Sequence, residues 1–263
     1  MKFDYHVHSE FSADCNIPME KMVEAAIQKG IQKICFTEHI DIDYPDPTID
    51  FDLNLTGYAQ KVKDMQKQYG NDIDIYKGVE LGVQPHVLPQ YEEIVANNFF
   101  DFIICSMHTT DRKDLHSGNL FTDCSLHEAY EKYYSELLHC VKTYKEFNIV
   151  GHIDLVKRYK YEYNVHHFLD IMEEIFRVII PEGKGIEINT SSFRYGLDQF
   201  MPSKDILQLY KEMNGEIITI GSDSHKPNTL NDRYDESVAL LQDLGFKYVT
   251  TFQDQKPSFH KIT

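Results

Sequence analysis

The sequence predicts an α/β fold in which parallel strands are joined by crossover helices. Three observations carry this. The chain has 263 residues, close to the ~250 typical of α/β barrels. Hydrophobic residues make up 42% of it and aromatic residues 13%, enough to fill a core and to rule out global disorder. Short apolar runs alternate with longer segments of helical period along nearly the whole chain.

Strands are expected at 3–8, 33–38, 73–80, 101–107, 148–153, 185–190 and 216–222, with a weaker one at 247–251. The first helix is expected over 18–29: Pro18 suits a first turn, Val23, Ala26 and Ile27 share a face, and Gly30 stops it. Residues 54–69 space Tyr58, Val62, Met65 and Tyr69 as a helical stripe. Residues 125–147 do the same with Leu126, Tyr130, Tyr133, Leu137, Val141 and Tyr144. Further helices are expected over 164–182, 203–214 and 231–244. No linker-like segment or short repeat divides the chain, so 1–263 reads as a single domain. Alternation alone leaves barrel and open sheet both available. No G-x-G-x-x-G follows the first strand and no G-x-x-x-x-G-K-[ST] occurs, which argues against dinucleotide and P-loop chemistry.

Asp and Glu number 42 against 26 Lys and Arg, a net charge of −16. Such a surface repels polyanions, so no nucleic-acid partner is expected. A phosphate-bearing ligand would need something cationic at its site. Cys15, Cys35, Cys105, Cys124 and Cys140 are odd in number and form no C-x-x-C pair, which disfavours a disulfide framework and a zinc ribbon. The opening MKFDYHVHSEF is unlike a secretory leader, and no run of about 18 apolar residues spans a membrane. A reducing compartment, most simply the cytoplasm, is expected, with no membrane partner.

The 13 histidines are distributed unevenly. His6 and His8 are two apart on a strand and so face one side, where two imidazoles can reach one metal. Asp14 follows in the next loop. His39 stands where the second strand turns polar; Asp41 and Asp43 beyond it read as solvated loop charges. Glu80 sits between Val79 and Leu81 in GVELG, a buried stretch where a carboxylate needs a cation or strong donors. His108, His152, and the pair Asp223 and His225 end three further strands. Taken singly, His108, His152, Asp223 and His225 each have a structural reading about as good as the metal one, Asp14 and His39 read better as a turn residue and a surface or core histidine, and Glu80 reads better as a ligand. Jointly, six histidines lie at the C-terminal ends of five strands together with Glu80 and Asp223, where parallel α/β folds build active sites. Imidazole and carboxylate without thiolate suit divalent Zn, Mn or Fe, and the surplus of ligands points to a multinuclear centre. Metal ions would also supply the missing positive charge. Arg158 and Arg194 follow the fifth and sixth strands and have the fork geometry that matches phosphate; the other reading is a surface arginine in each case. Asn189 is a candidate polar support, whereas Ser192 reads as a turn residue.

In this order, the motifs H-x-H at 6–8, TEH at 37–39, GVELG at 78–82, SMH at 106–108, GHIDL at 151–155 and SDSH at 222–225 resemble the polymerase and histidinol phosphatase (PHP) family. GHIDLVKRY and EINTSSFR look most like its monofunctional histidinol-phosphate phosphatases. The resemblance implies an irregular (β/α)7-type barrel related to the TIM barrel, with up to three metals at the C-terminal ends of its strands. By position, His6, His8, Glu80 and Asp223 resemble the first metal's ligands. Glu80, His108 and His152 resemble the second's, and Asp14, His39 and His225 the third's. Some members have His where this chain has Asp14. Arg158 and Arg194 match phosphate-binding positions; the leaving group's proton has two candidate sources, a metal-bound water and Asp223.

The implied reaction is hydrolysis of a small phosphate monoester, L-histidinol phosphate, to L-histidinol and phosphate. Asp41, Asp43 and Asp111 are candidate acids for the substrate's ammonium. Rival readings are another PHP-type phosphoesterase (general, tyrosine-phosphatase or nuclease) and a non-catalytic metal-binding protein. The Asp-Asp-Gly typical of the tyrosine-phosphatase branch is absent after the H-x-H, where Ser12–Asp14 stand. Oligomeric state is not readable.

Overall fold

The computed structural model describes residues 1–159 and 164–262. In chain order it contains β1 (Phe3–Val7), α1 (Met19–Gln28), β2 (Lys33–Ile40), α2 (Leu55–Tyr69), β3 (Asp74–Gly82), α3 (Leu88–Asn97), β4 (Phe102–Ser106), β5 (Thr109–Thr110), β6 (Lys113–Asp114), α4 (Leu126–Thr143), β7 (Ile149–Val150), α5 (Leu169–Ile179), β8 (Gly185–Asn189), α6 (Lys204–Glu212), β9 (Ile218–Gly221), α7 (Tyr234–Asp243), β10 (Tyr248–Gln253) and β11 (Lys256–Lys261).

Seven strands form one sheet in the order β1-β2-β3-β4-β7-β8-β9, every pair parallel. The ends meet: Val7 bridges Ser224, and the His8 amide donates to the Ser224 carbonyl at 2.9 Å. The sheet is therefore a nearly closed barrel, which settles the choice that alternation left open. Asp4 pins the seam, accepting from the Ser222 amide at 2.9 Å and the Ser222 hydroxyl at 2.5 Å. Strands with helices outside and packed side chains inside are covered on both faces, so they read as apolar runs rather than alternating ones. The whole of β1, β4, β8 and β9 is accordingly buried.

The helices follow their stripes. Met22, Val23 and Ala26 of α1, Tyr58, Val62 and Met65 of α2, and Tyr130, Tyr133, Leu137 and Val141 of α4 are buried. Asn54 caps α2 through its side chain, and Ser125 with Glu128 forms a capping box on α4, which starts where expected but ends at Thr143. The expected helix 164–182 opens as a 3-10 turn, Val165–Phe168, before α5.

Four further departures concern elements. The expected strand 148–153 has only two paired residues, because the chain leaves the sheet at Gly151 to present His152. The helix expected over 231–244 begins at Tyr234, after Arg233 in the left-handed region. Helix α3 was not expected: Pro89 interrupts its pattern, yet in the first turn proline is tolerated, and only Leu88 and Tyr91 are fully buried. The weak strand at 247–251 is β10, which pairs antiparallel with an unforeseen β11 outside the barrel. This hairpin covers the N-terminal end of the barrel. Phe252 stacks on Phe102 with ring centroids 5.0 Å apart, and the Tyr5 hydroxyl donates to the Phe252 carbonyl. The opposite end stays open. No helix among the described residues is long and apolar enough to cross a membrane.

Candidate metal centre and active site

Glu80 is the hub. It is fully buried near the end of β3, and the register sets His39 of β2 beside it. Its Oε1 accepts from the Ser106 hydroxyl at 2.6 Å and lies 2.9 Å from His152 Nε2 and 3.2 Å from His108 Nε2. Its Oε2 lies 3.0 Å from His6 Nε2, 3.3 Å from His39 Nδ1 and 3.5 Å from His8 Nε2. One carboxylate thus faces five imidazoles, three through one oxygen and two through the other. His6 and His8 do project to the same side, their ring centroids 5.1 Å apart.

Asp223 Oδ1 stands 3.5 Å from His8 Nε2 and 3.8 Å from His6 Nε2, while Oδ2 accepts from Arg158 Nη1 at 3.1 Å. Its backbone φ of 53° is in the left-handed region, which aspartate tolerates better than most residues. Arg194 Nη2 fixes that turn by donating to the carbonyls of Ser222 and Asp223 at 2.7 and 2.8 Å. Asp14 lies at the rim, 3.0 Å from His225 Nε2 and 3.7 Å from His39 Nε2. All nine expected ligand positions therefore converge at the open end of the barrel. Ligand atoms close enough to share an ion occur in the groups His6–His8–Glu80, Glu80–His108–His152, His6–His152–Asp223 and His8–His39–His225.

The donor set fits divalent cations. His8 Nε2 and His152 Nδ1 are buried without a hydrogen-bond partner, and Nε2 of His8 points between two carboxylates. A buried polar atom left unpaired is costly, and an ion satisfies the first of these. Electrostatics agree. Burial pushes the His39 imidazole down, but Glu80, Asp14 and Asp41 push it further up, to about 9. Burial opposes protonation of His6 and His108 too, yet Glu80 with Glu187, and Asp41 with Glu80, carry them well above the usual histidine range. His8 goes the other way, to about 3, through burial and the neighbouring His225 and His39. Protons on His6, His39 and His108 thus stand where cationic charge is wanted, and His8 is already a neutral donor.

A metal must displace those protons. Binding of Zn²⁺ at pH 7.5 should release more than one proton per chain, and the apparent affinity should fall as pH falls below about 9. Calorimetry in two buffers of different ionisation enthalpy measures this; no release would contradict it.

Three acids were misread or missed. Asp41 is not a solvated loop charge: it is buried, with Oδ1 2.7 Å from His108 Nδ1 and Oδ2 3.3 Å from His39 Nδ1. β2 runs on to Ile40, and Gly82 opposite makes room, since a Cβ there would come within 1.9 Å of Asp41 Oδ1. Glu187 of β8 was missed. It lies 2.9 Å from His6 Nδ1 and accepts from the His152 amide at 2.8 Å and from Asn189 Nδ2 at 3.0 Å. Glu38 is buried and accepts from Ser9 and from Ser12, whose hydroxyl also lies 3.1 Å from His8 Nδ1. Carboxylates behind imidazoles orient them and raise their basicity. Glu187→Gln should therefore weaken metal affinity by about 10- to 100-fold while the protein still folds; a competition assay with a metal chelator measures it.

Ser192 does lie on a turn, the 3-10 turn Ser191–Tyr195, and is buried there; Asn189 accepts from the Ser191 amide and hydroxyl. Asp43 and Asp111 face outward, paired with His86 and Lys132.

The cluster floors a cavity of about 590 Å³, a usual size for a small-molecule site. Arg158, Arg194, Tyr159 and Tyr195 form one wall, and Tyr44, Ile49, Phe51 and His116 also line it. A neighbouring cavity of about 650 Å³ between the 41–52 loop and α3 is larger, but its lining contains no histidine.

The chain is similar to known proteins over nearly all its length. It is 33% identical to the histidinol-phosphatase of Lactococcus lactis over 97% of this chain and 96% of that protein. It is 24% identical to the histidinol-phosphatase of Bacillus subtilis over 89% and 97%. The crystal structure of the Lactococcus lactis histidinol phosphate phosphatase, complexed with zinc, L-histidinol and phosphate, superposes with a TM-score of 0.88 at 30% identity and covers 98% of each chain. The PHP domain matches residues 4–191, and with the barrel and the histidine–carboxylate centre in place, this chain belongs to the PHP domain family.

Proposed function

We propose that this chain is a metal-dependent histidinol-phosphatase, which hydrolyses L-histidinol phosphate to L-histidinol and inorganic phosphate. The observation that carries the reading is the juxtaposition of the Glu80-centred histidine cluster with Arg158 across Asp223. The relatives named histidinol-phosphatase support the substrate. Residues 1–263 act as one catalytic domain on a small molecule, in the cytoplasm, where the free thiols of Cys15, Cys35, Cys105, Cys124 and Cys140 are at home.

In this reading His6, His8, Glu80 and Asp223 hold a first divalent ion, Glu80, His108 and His152 a second, and Asp14, His39 and His225 a third. The ions are Zn, Mn or Fe. When bound, they lower the pKa of water to about 7 and neutralise phosphoryl charge. The protein's own groups do the rest. Arg158 and Arg194 receive phosphoryl oxygens as charge redistributes in the transition state. Burial would raise the Asp223 carboxyl, but His6, His8 and Arg158 hold it well below the usual carboxylate range, so it begins as an acceptor. The water oxygen bonds to phosphorus as the ester P–O bond breaks, and the water proton passes through Asp223 to the departing alkoxide. Buried Asp41 and Glu187 keep His108, His39 and His6 aimed inward.

The test is a side-by-side assay of L-histidinol phosphate, p-nitrophenyl phosphate, phosphotyrosine peptide and single-stranded DNA, with metal quantified on the same sample. Histidinol phosphate should be preferred in kcat/KM by at least about 100-fold. Equal rates on the first two would make this a general phosphoesterase instead.

A further inference from the structure

Arg158 is held far more closely than a surface arginine. It sits on the 3-10 turn after β7 (Leu155–Tyr159), facing the 3-10 turn after β8 (Ser191–Tyr195). Its Nη1 donates to Asp223 Oδ2 at 3.1 Å and to Ser191 Oγ at 3.2 Å, and its Nη2 donates to the Tyr159 hydroxyl at 2.7 Å. The guanidinium carbon lies 5.0 Å from the centroid of the Tyr159 ring and 4.3 Å from that of Tyr195. Nε is buried and has no partner.

Tyr195 is itself 52% exposed. Its ring nevertheless packs against the Arg158 guanidinium. The turn ends at Gly196, whose φ of 87° only glycine adopts freely, and this sets Tyr195 at the cavity wall. A ring over a guanidinium face attracts the cation, excludes water from it and leaves the in-plane N–H groups free. In-plane N–H groups are those that meet phosphate in two-point contact.

We propose that Tyr195 and Tyr159 are positioning residues for the phosphate site: they pack on the Arg158 guanidinium and hold it at the cavity wall, where it meets the phosphoryl group. Tyr159 adds a hydrogen bond, whereas Tyr195 acts through its ring alone. This rests on the reading of Arg158 as a phosphate ligand, and the test separates the two.

The test measures binding of inorganic phosphate to metal-loaded protein by calorimetry, alongside KM and kcat for histidinol phosphate. Tyr195→Ala should weaken phosphate binding and raise KM by about 5- to 10-fold, with kcat within about twofold and metal content unchanged. Tyr195→Phe, which keeps the ring, should stay within about twofold of the parent. In an Arg158→Ala background, Tyr195→Ala should add nothing, because both changes remove one contact. If Arg158→Ala weakens phosphate binding but Tyr195→Ala does not, or if the two losses add fully, the clamp is wrong and the phosphate reading stands. If Arg158→Ala leaves phosphate binding unchanged, both are wrong.

Discussion

Glu80→Gln should lose bound metal and at least about a thousandfold of kcat/KM, some 4 kcal/mol of transition-state stabilisation. The change is isosteric, so packing around β3 is preserved and what goes is charge. The two oxygens of Glu80 face His152 and His108 on one side and His6, His39 and His8 on the other, all within 3.5 Å. A carboxylate in that position can belong to two ions at once. An amide offers one oxygen, no charge, and an N–H₂ that meets an imidazole or an ion unfavourably. Metal analysis of purified variant and parent, with steady-state kinetics on the same samples, measures both losses. A variant with parental metal content and activity would remove Glu80 from the centre.

Arg158→Ala should cost about 100-fold in kcat/KM, nearly 3 kcal/mol, with metal content kept. Arg158 reaches Asp223 with one nitrogen and Tyr159 with another, so it joins the ion cluster to the cavity wall. Its loss removes a fixed positive charge from where phosphoryl charge develops. It also leaves Asp223 Oδ2 without its donor. Arg194, more exposed and using Nη2 on the Ser222 and Asp223 carbonyls, should matter less. Its replacement by Ala should cost about tenfold.

Much of this centre was legible because strands obey simple rules. Two-residue alternation set His6 and His8 on one side, and strand ends placed His39, His108, His152, Asp223 and His225 together. Glu80 stood out as a carboxylate in an apolar strand. Glu187 carries the same signal in GIEIN, flanked by Ile186 and Ile188, and the reasoning applied to Glu80 would have found it. Asp41 was not legible, because its burial depends on a missing Cβ at Gly82, on a different strand. Barrel closure was hidden for the same reason. It rests on contacts between Val7, His8 and Ser224, more than 200 residues apart, which no local periodicity reports. The hairpin β10–β11 escaped notice in part because Lys256–Lys261 is almost wholly exposed and shows no apolar run.

The central claim is that the histidine–carboxylate cluster does its chemistry through divalent ions, and one titration tests it most directly. Purified protein is stripped by a strong chelator and Zn²⁺, Mn²⁺ or Fe²⁺ is added back stepwise, with bound ions and histidinol phosphate turnover counted at each step. Activity should vanish on stripping and return in proportion to ions bound, up to three per chain, and Glu80→Gln should fail to recover. Undiminished turnover in protein shown to hold no metal would contradict the claim.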